Sequence, residues 1–223
     1  MDSLLLIPLA VAPGIFWMFW FYLKDRFEPE PPALVGRIFL LGGLAVIPAA
    51  FLEVIAAYLI SPLMLAVAAG PLIEEFFKYQ VVRRFAYDEP EFDEPMDGII
   101  YAVAAALGFA TLENVVYVVG SALTSVPEAL GVAALRAVLS VPAHALLAIS
   151  WGAALGWAKF MDRTRGRILV MAGFLIAVIL HGIFNFMVMD SLTLAVLVLL
   201  CVPLAWVVAG QVIRQTLTRG RGE

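Results

Sequence analysis

PLIEEFFKYQVVRR, residues 71–84, sets two adjacent carboxylates and a lysine into what is otherwise the body of a hydrophobic helix. A carboxylate in hydrocarbon is costly unless it faces other protein, a partner charge or a water-filled cavity. On a helix Glu74 and Glu75 point about 100° apart, and Lys78 lies one turn on from both, at the i+4 and i+3 positions. In that position the lysine neutralises one carboxylate readily and both only with difficulty. Two readings fit the stretch: a polar knot that locks helices together, or a functional site. Both need other helices packed around it inside a membrane.

The composition agrees. Of 223 residues 63% are hydrophobic and 14% charged, against about 25% charged in an ordinary soluble domain. The expectation is an all-α, polytopic transmembrane helical bundle forming one domain over residues 1–223 and resident in the cell membrane. Apolar windows of about 20 residues mark about seven spans, near 3–23, 37–60, 62–82, 98–119, 131–158, 168–190 and 191–213. Ser3 to Leu23 is uncharged and lacks a basic leader, so it reads as a retained first helix and not a cleaved signal. Lys24 to Pro32 (KDRFEPEPP) reads as an extended loop on the membrane surface, and Arg83 to Pro95 (RRFAYDEPEFDEP) as a long acidic loop, in which Tyr87 to Pro95 reads as a solvated acidic turn ahead of a recognition element for a basic substrate tail.

Lys and Arg gather on the cytoplasmic side of membrane proteins. With the N-terminus outside and the C-terminus inside, the inner segments hold Lys24, Arg26, Arg37, Arg83, Arg84, Lys159, Arg163, Arg165, Arg167, Arg214, Arg219 and Arg221, twelve of the fourteen basic residues. Lys78 and Arg136 are the exceptions. The net charge of −4 and pI near 5.2, with no basic patch, exclude a general nucleic-acid binder. The single cysteine, Cys201, excludes an internal disulfide or a cysteine metal cluster.

With the loops removed, the polar groups at depth are Glu53, Glu74, Glu75, Lys78, Glu113, Asn114, His144, His181 and Asn185, and both histidines of the protein are among them. Four-spaced rows place them behind small residues: Ala66, Gly70, Glu74, Lys78; Ala102, Ala106, Ala110, Asn114; His144, Ala148, Gly152, Gly156; Gly173, Ala177, His181, Asn185. Small residues at this spacing let backbones approach closely, so the four polar faces look inward, and together they read as a site. Peptide hydrolysis needs an activated water, a stabiliser for the oxyanion and an acid for the leaving amine. The set permits this with glutamate and histidine alone, or with zinc held by His144, His181 and one glutamate, Glu75 or Glu113. The H-E-x-x-H spacing is absent, so any metal ligands come from separate helices. Ser140, one turn before His144, is the only serine near a histidine in these rows.

YLKDRFEPEPP after the first span, EEFFK, MDGIIYAVAAALGFATLENVVY, VPAHALLAISWGAALG and ILHGIFNF follow one another from Tyr22 to Phe186. In these pieces the chain resembles the PrsW family of intramembrane proteases, within a wider group containing CAAX prenyl endopeptidases and bacteriocin-immunity-type membrane proteins. The resemblance implies an endopeptidase, often described as a metalloprotease, that cuts a membrane-embedded or juxtamembrane bond, with a single-span anti-sigma factor as the PrsW-type substrate. In the CAAX group the first glutamate of the pair and a histidine one turn after a phenylalanine activate water, and a later histidine and asparagine, four apart, stabilise the oxyanion. Glu74 matches that glutamate, and His181 with Asn185 the later pair. The intermediate histidine is replaced by Glu113, one turn after Phe109. Glu74 is therefore the preferred base, Glu75 its partner or a metal ligand, and Lys78 and Asn114 supporting residues. The competing readings are a non-catalytic scaffold or immunity protein, and a proton- or cation-coupled transporter.

Overall fold

The computed structural model describes residues 6–219, which are helical with no strand among the described residues. Residues 3–5 of the first expected span, the Arg219 side chain and Arg221 lie outside that description. The helices are α1 (Leu6–Tyr22), α2 (Pro32–Leu44), α3 (Val46–Ala57), α4 (Pro62–Met64), α5 (Gly70–Phe85), α6 (Pro95–Ala122), α7 (Val126–Val138), α8 (Ser140–Ala158), α9 (Arg163–Met187), α10 (Ser191–Val196) and α11 (Val202–Arg219). Several join end to end, α4 to α5 and α10 to α11 through π-helical turns, Leu65–Ala69 and Leu197–Cys201. The result is seven rods, one for each expected segment. Five of them, Pro32–Ala57, Pro95–Ala122, Val126–Ala158, Arg163–Met187 and Ser191–Thr218, have the length and hydropathy to cross a membrane. Of the α1 rod 17 apolar residues are described, and the α4–α5 rod carries Glu74, Glu75, Lys78, Arg83 and Arg84.

Several rods start earlier than their apolar windows because a cap, and not hydropathy, fixes a helix start. Asp162 accepts from the amides of Thr164 and Arg165 at 3.1 and 3.0 Å, and Ser125 from that of Glu128 at 3.4 Å. Proline occupies the first turn of α2, α4, α6 and α7, where its missing N–H costs nothing.

The long α6 is the axis of the bundle, buried without a break from Pro95 to Thr111 and packed by α1, α2, α5, α7 and α8. Its small residues allow this. A Cβ built on Gly152 of α8 would lie 2.5 Å from the Ala102 Cβ and 2.7 Å from the Gly98 carbonyl, so α6 and α8 meet backbone to backbone along the expected rows. Large apolar side chains point outward instead, among them Ile168, Met171 and Ile179 on α9 and Leu204 on α11, as a lipid-facing surface requires.

The π turn before α5 follows from Pro71. The Gly70 amide bonds the Leu65 carbonyl, five residues back, and in that register the Ala66 carbonyl would look to residue 71, which has no N–H. Asn185 of α9 supplies the missing donor, with Nδ2 at 2.9 Å from Ala66 O. Beside it, a Cβ on Gly182 would lie 2.1 Å from Val67 O, so only glycine lets α9 seat there.

At the end of the bundle that the positive-inside rule assigns to the cytoplasm, the α1–α2 and α5–α6 connections come together. In the acidic turn Asp88, Glu91 and Asp93 are exposed, while Phe92 between them is buried, with Tyr87 and Tyr101 at ring separations of 5.1 and 5.9 Å, and Lys159 donates to Tyr87 O at 2.8 Å. The KDRFEPEPP loop is exposed from Arg26 to Pro29, as a surface loop requires, and departs from that reading at Asp25 and Glu30, which are buried.

Candidate active site

Helix α5 brings the glutamate pair to the centre of the bundle, α8 brings His144, α9 brings His181, and α6 brings Glu113. Lys78 Nζ lies 3.0 Å from Glu74 Oε2, 3.0 Å from Glu75 Oε1 and 2.8 Å from His144 Nδ1, with the Phe109 ring 4.3 Å away. The lysine thus binds both carboxylates, contrary to the expectation that it serves one: its side chain runs back along the helix between them, and an ammonium has a hydrogen for each partner. Lys78 and Glu75 are fully buried.

The two glutamates do different things because they point in different directions. Glu75 faces away from open space, accepting from Trp151 Nε1 at 3.0 Å through Oε2 and meeting His181 Nδ1 at 3.1 Å through Oε1. Glu74 lines a cavity of about 420 Å³ together with Glu53, Glu113, Arg136, His144, His181 and Asn185. A larger cavity, about 640 Å³, contains Arg83, Arg163 and Arg167 but no carboxylate or imidazole, so it offers none of this chemistry.

Partners fix the ring protons. A carboxylate only accepts, so His181 donates from Nδ1 to Glu75 and turns the lone pair of Nε2 towards Glu74 Oε2, 3.9 Å away. An ammonium only donates, so His144 Nδ1 accepts from Lys78 and Nε2–H faces Glu113 Oε2 at 3.3 Å. The same Glu113 oxygen is gripped by Arg136 Nη2 at 2.5 Å, and Arg136 Nε donates to Asn114 Oδ1 at 3.0 Å. Asn114 in turn donates from Nδ2 to Ala10 O at 2.7 Å, tying α6 to α1.

The structure therefore brings Glu74, Glu75, Lys78, Glu113, His144 and His181 into one cluster, with Asn185 on its wall and Asn114 behind it. The glutamate within ligand range of both histidines is Glu74, and not Glu75 or Glu113, which are turned to Trp151 and Arg136. Sequence reasoning did not place Arg136, Trp151 or Glu53 in the site. Trp151 lies two turns after His144 on the same face of α8, which is the signal that would have found it. Arg136 stood out only as a cation on the wrong side of the charge rule.

The model of the PrsW family intramembrane metalloproteases matches residues 30–209. The chain belongs to the PrsW family. Among its relatives, Protease PrsW of Geobacillus kaustophilus is 41% identical over 187 residues, spanning 82% of this chain and 80% of the relative. Protease PrsW of Oceanobacillus iheyensis is 34% identical over 211 residues and 92% of each chain, and that of Bacillus subtilis 33% over 190 residues and 81% of each. No solved structure gives a significant match. The protein is thus a hydrolase of the intramembrane metalloprotease class, a multi-pass membrane protein acting on membrane protein substrates.

A resident metal is what the family description implies, and the donor set fits one. Ligand atoms of Glu74, His144 and His181 lie within 4.8 Å of one another, all three residues buried, and two imidazoles with one carboxylate are a zinc-hydrolase set. Glu75 behind His181 is the outer carboxylate that fixes a ligating ring. Glu74 and His181 offer free electron pairs as they stand, whereas His144 would ligate through Nδ1 only with Lys78 turned from it to Glu74 and Glu75, its Nε2–H staying on Glu113.

Proposed function

We propose that this PrsW-family protein cleaves a peptide bond in or beside the membrane span of a single-span protein, an anti-sigma factor by the family resemblance, with Glu74, His144 and His181 holding zinc and Glu113 moving the proton. The observation that carries the reading is the convergence of those three ligand residues on the wall of a cavity that Glu113 shares. Glu74, His144 and His181 would hold the ion, which would supply Lewis-acid polarisation of a carbonyl and a more acidic water. Glu75 orients His181, and Lys78 holds the Glu74 carboxylate in place. Glu113 keeps Oε2 on Arg136 and leaves Oε1 outside the ion pairs and hydrogen bonds described above, so Oε1 takes the proton of the attacking water and returns it to the leaving amine. The base role that the resemblance suggested for Glu74 passes to Glu113 in this reading, because Glu74 stands between the histidines. Where CAAX endopeptidases carry a histidine one turn after the phenylalanine, Glu113 is served by His144 Nε2 from α8, 3.3 Å away. Asn185 commits its amide to Ala66 O and acts by holding α9 on the π turn.

Co-expression with a tagged single-span substrate tests this. Glu74→Gln and His181→Ala are expected to abolish cleavage, and Glu113→Gln to slow it by about 10²–10⁴-fold, with chain levels unchanged. Normal cleavage in all three variants overturns the reading. Substoichiometric zinc in active protein, with activity undiminished by chelators, removes the metal from it.

A further inference from the structure

A second group of carboxylates lies far from the histidines. Asp97 is 16 residues before Glu113 on α6, about 24 Å along the axis at 1.5 Å per residue. Asp97, Asp25 and Glu30 are 0%, 3% and 3% exposed, and they present ligand oxygens within 4.8 Å of one another. Glu94 borders them, in a reciprocal capping box with Asp97 at the start of α6.

Such a cluster ordinarily comes with cations or donors, and here they are few. Tyr101 donates its hydroxyl to Glu30, and the amides of Asp93 and Glu94 donate to Asp97 Oδ2 at 2.8 and 2.7 Å. Both oxygens of Asp25, Oδ1 of Asp97 and Oε1 of Glu94 are buried without a hydrogen-bond partner. The backbone amides of Phe27, Glu28 and Glu30 lie around Asp25 and partly offset the cost of its charge. Among the described residues no lysine or arginine pairs with any of the four acids. Lys24 sits over the Trp20 ring and Lys159 donates to Tyr87 O, so both are engaged elsewhere.

We infer that Asp25, Glu30 and Asp97 form a site for a hard divalent cation of the magnesium and calcium class, which pins the α1–α2 loop to the start of α6. Oxygen ligands sit about 2.0–2.6 Å from such ions, so two on opposite sides of one ion are about 4–5 Å apart, the spacing available here. The donors are carboxylates without imidazole or thiolate, which selects this class over zinc or copper. The position of the empty electron pairs supports it, since the bare oxygens of Asp25 and Asp97 belong to buried side chains. Gathering the acids without an ion is unfavourable: burial, followed by Asp97, pushes Asp25 up to about 6 and raises Glu30 as well. A bound cation joins two connections distant in sequence, and so stabilises the bundle at the end opposite the proteolytic cavity.

The test uses the full chain purified in detergent, stripped with chelator and titrated with MgCl2, CaCl2 or NaCl at matched ionic strength while thermal unfolding is followed. Magnesium or calcium at about a hundredfold excess over its dissociation constant is expected to raise the midpoint by roughly 5–10 °C, and sodium not to. Asp25→Asn is the informative variant, because it keeps the shape and one acceptor oxygen for the surrounding amides while removing the buried charge: without ion it should unfold no earlier than the wild type, and its response to divalent ions should vanish. Glu75→Gln should keep that response, which separates this site from the histidine cluster. Terbium gives an independent reading on unaltered protein, with luminescence excited through Tyr101 and displaced by calcium or magnesium. A wild type indifferent to both divalent ions, with no terbium signal, would mean that the acids hold protons only and overturns the proposal. An undiminished response in Asp25→Asn overturns it equally.

Discussion

The bundle buries carboxylates in two places and treats them in opposite ways. Around α5, Lys78 gives its hydrogens to Glu74, Glu75 and His144, Trp151 and His181 complete Glu75, and Arg136 covers Glu113. At the start of α6 the acids have bare oxygens, and no lysine or arginine among the described residues pairs with them. The first cluster is neutralised from within, and only the groups on the cavity wall keep unused valence. The second is left for something from outside to complete. Buried charge thus marks chemistry in one place and, in the proposal above, an ion-dependent fastening in the other.

The sharpest way to break this contrast is Lys78→Met. Removing one member of a buried ion pair strands the other and costs about 3–5 kcal/mol, here with two carboxylates stranded at once. The expected outcome is a large fall in stability in denaturant unfolding from detergent, with part of it recovered in Lys78→Met combined with Glu75→Gln. A single variant as stable as the wild type would mean that the glutamates do not need the lysine and that the two clusters are alike.

Next in size is Glu75→Gln, which separates holding from reacting. It removes the carboxylate behind His181 while keeping shape, and changes to such outer partners typically cost about 10–100-fold in metal affinity or activity. Zinc content measured across a chelator series should fall with cleavage. A variant that loses stability but binds zinc as the wild type does would reduce Glu75 to a packing residue.

Asn185→Ala should be milder. It deletes the donor to Ala66 O and leaves a half-buried carbonyl unpaired in the π turn, a loss of about 0.5–1.5 kcal/mol, with zinc content unchanged. Hydrogen exchange should show the loss first around residues 65–70.

How much of this was legible in the sequence depends on whether a signal is local. Five of the rods were readable because twenty apolar residues in a row have few other uses, and the inward faces because small residues recur every four positions on the same rows as the polar groups. The division of labour between Glu74 and Glu75 was not, since it depends on where the cavity opens, which only the packing of α8 and α9 decides. The Glu113–Arg136 pair joins α6 to a separate half-helix, α7, and no spacing rule connects them. The KDRFEPEPP loop misled for a related reason: a polar, proline-rich segment looks the same whether water or protein covers it, and Asp25 and Glu30 became buried only when Tyr101 and Asp97 of α6 met them.

The smallest expected effect comes from Arg37→Ala, an ion pair at the same end as the bare acids. Arg37 Nη1 lies 3.2 Å from Glu89 Oε1, as short as many of the buried contacts, but the two side chains are 50% and 37% exposed. Water and salt screen such a pair, whose net worth is about 0–1 kcal/mol, and the arginine also spends entropy in staying ordered. Both partners remain solvated when the contact is lost, so neither is stranded as Glu74 and Glu75 are without Lys78. Arg37→Ala should therefore change unfolding by less than about 1 kcal/mol, with any change shrinking further in high salt, and leave cleavage intact. A loss approaching that of Lys78→Met would show that exposed pairs hold the α2 and α5 ends together, and the bare acids beside them would then have no fastening left to provide.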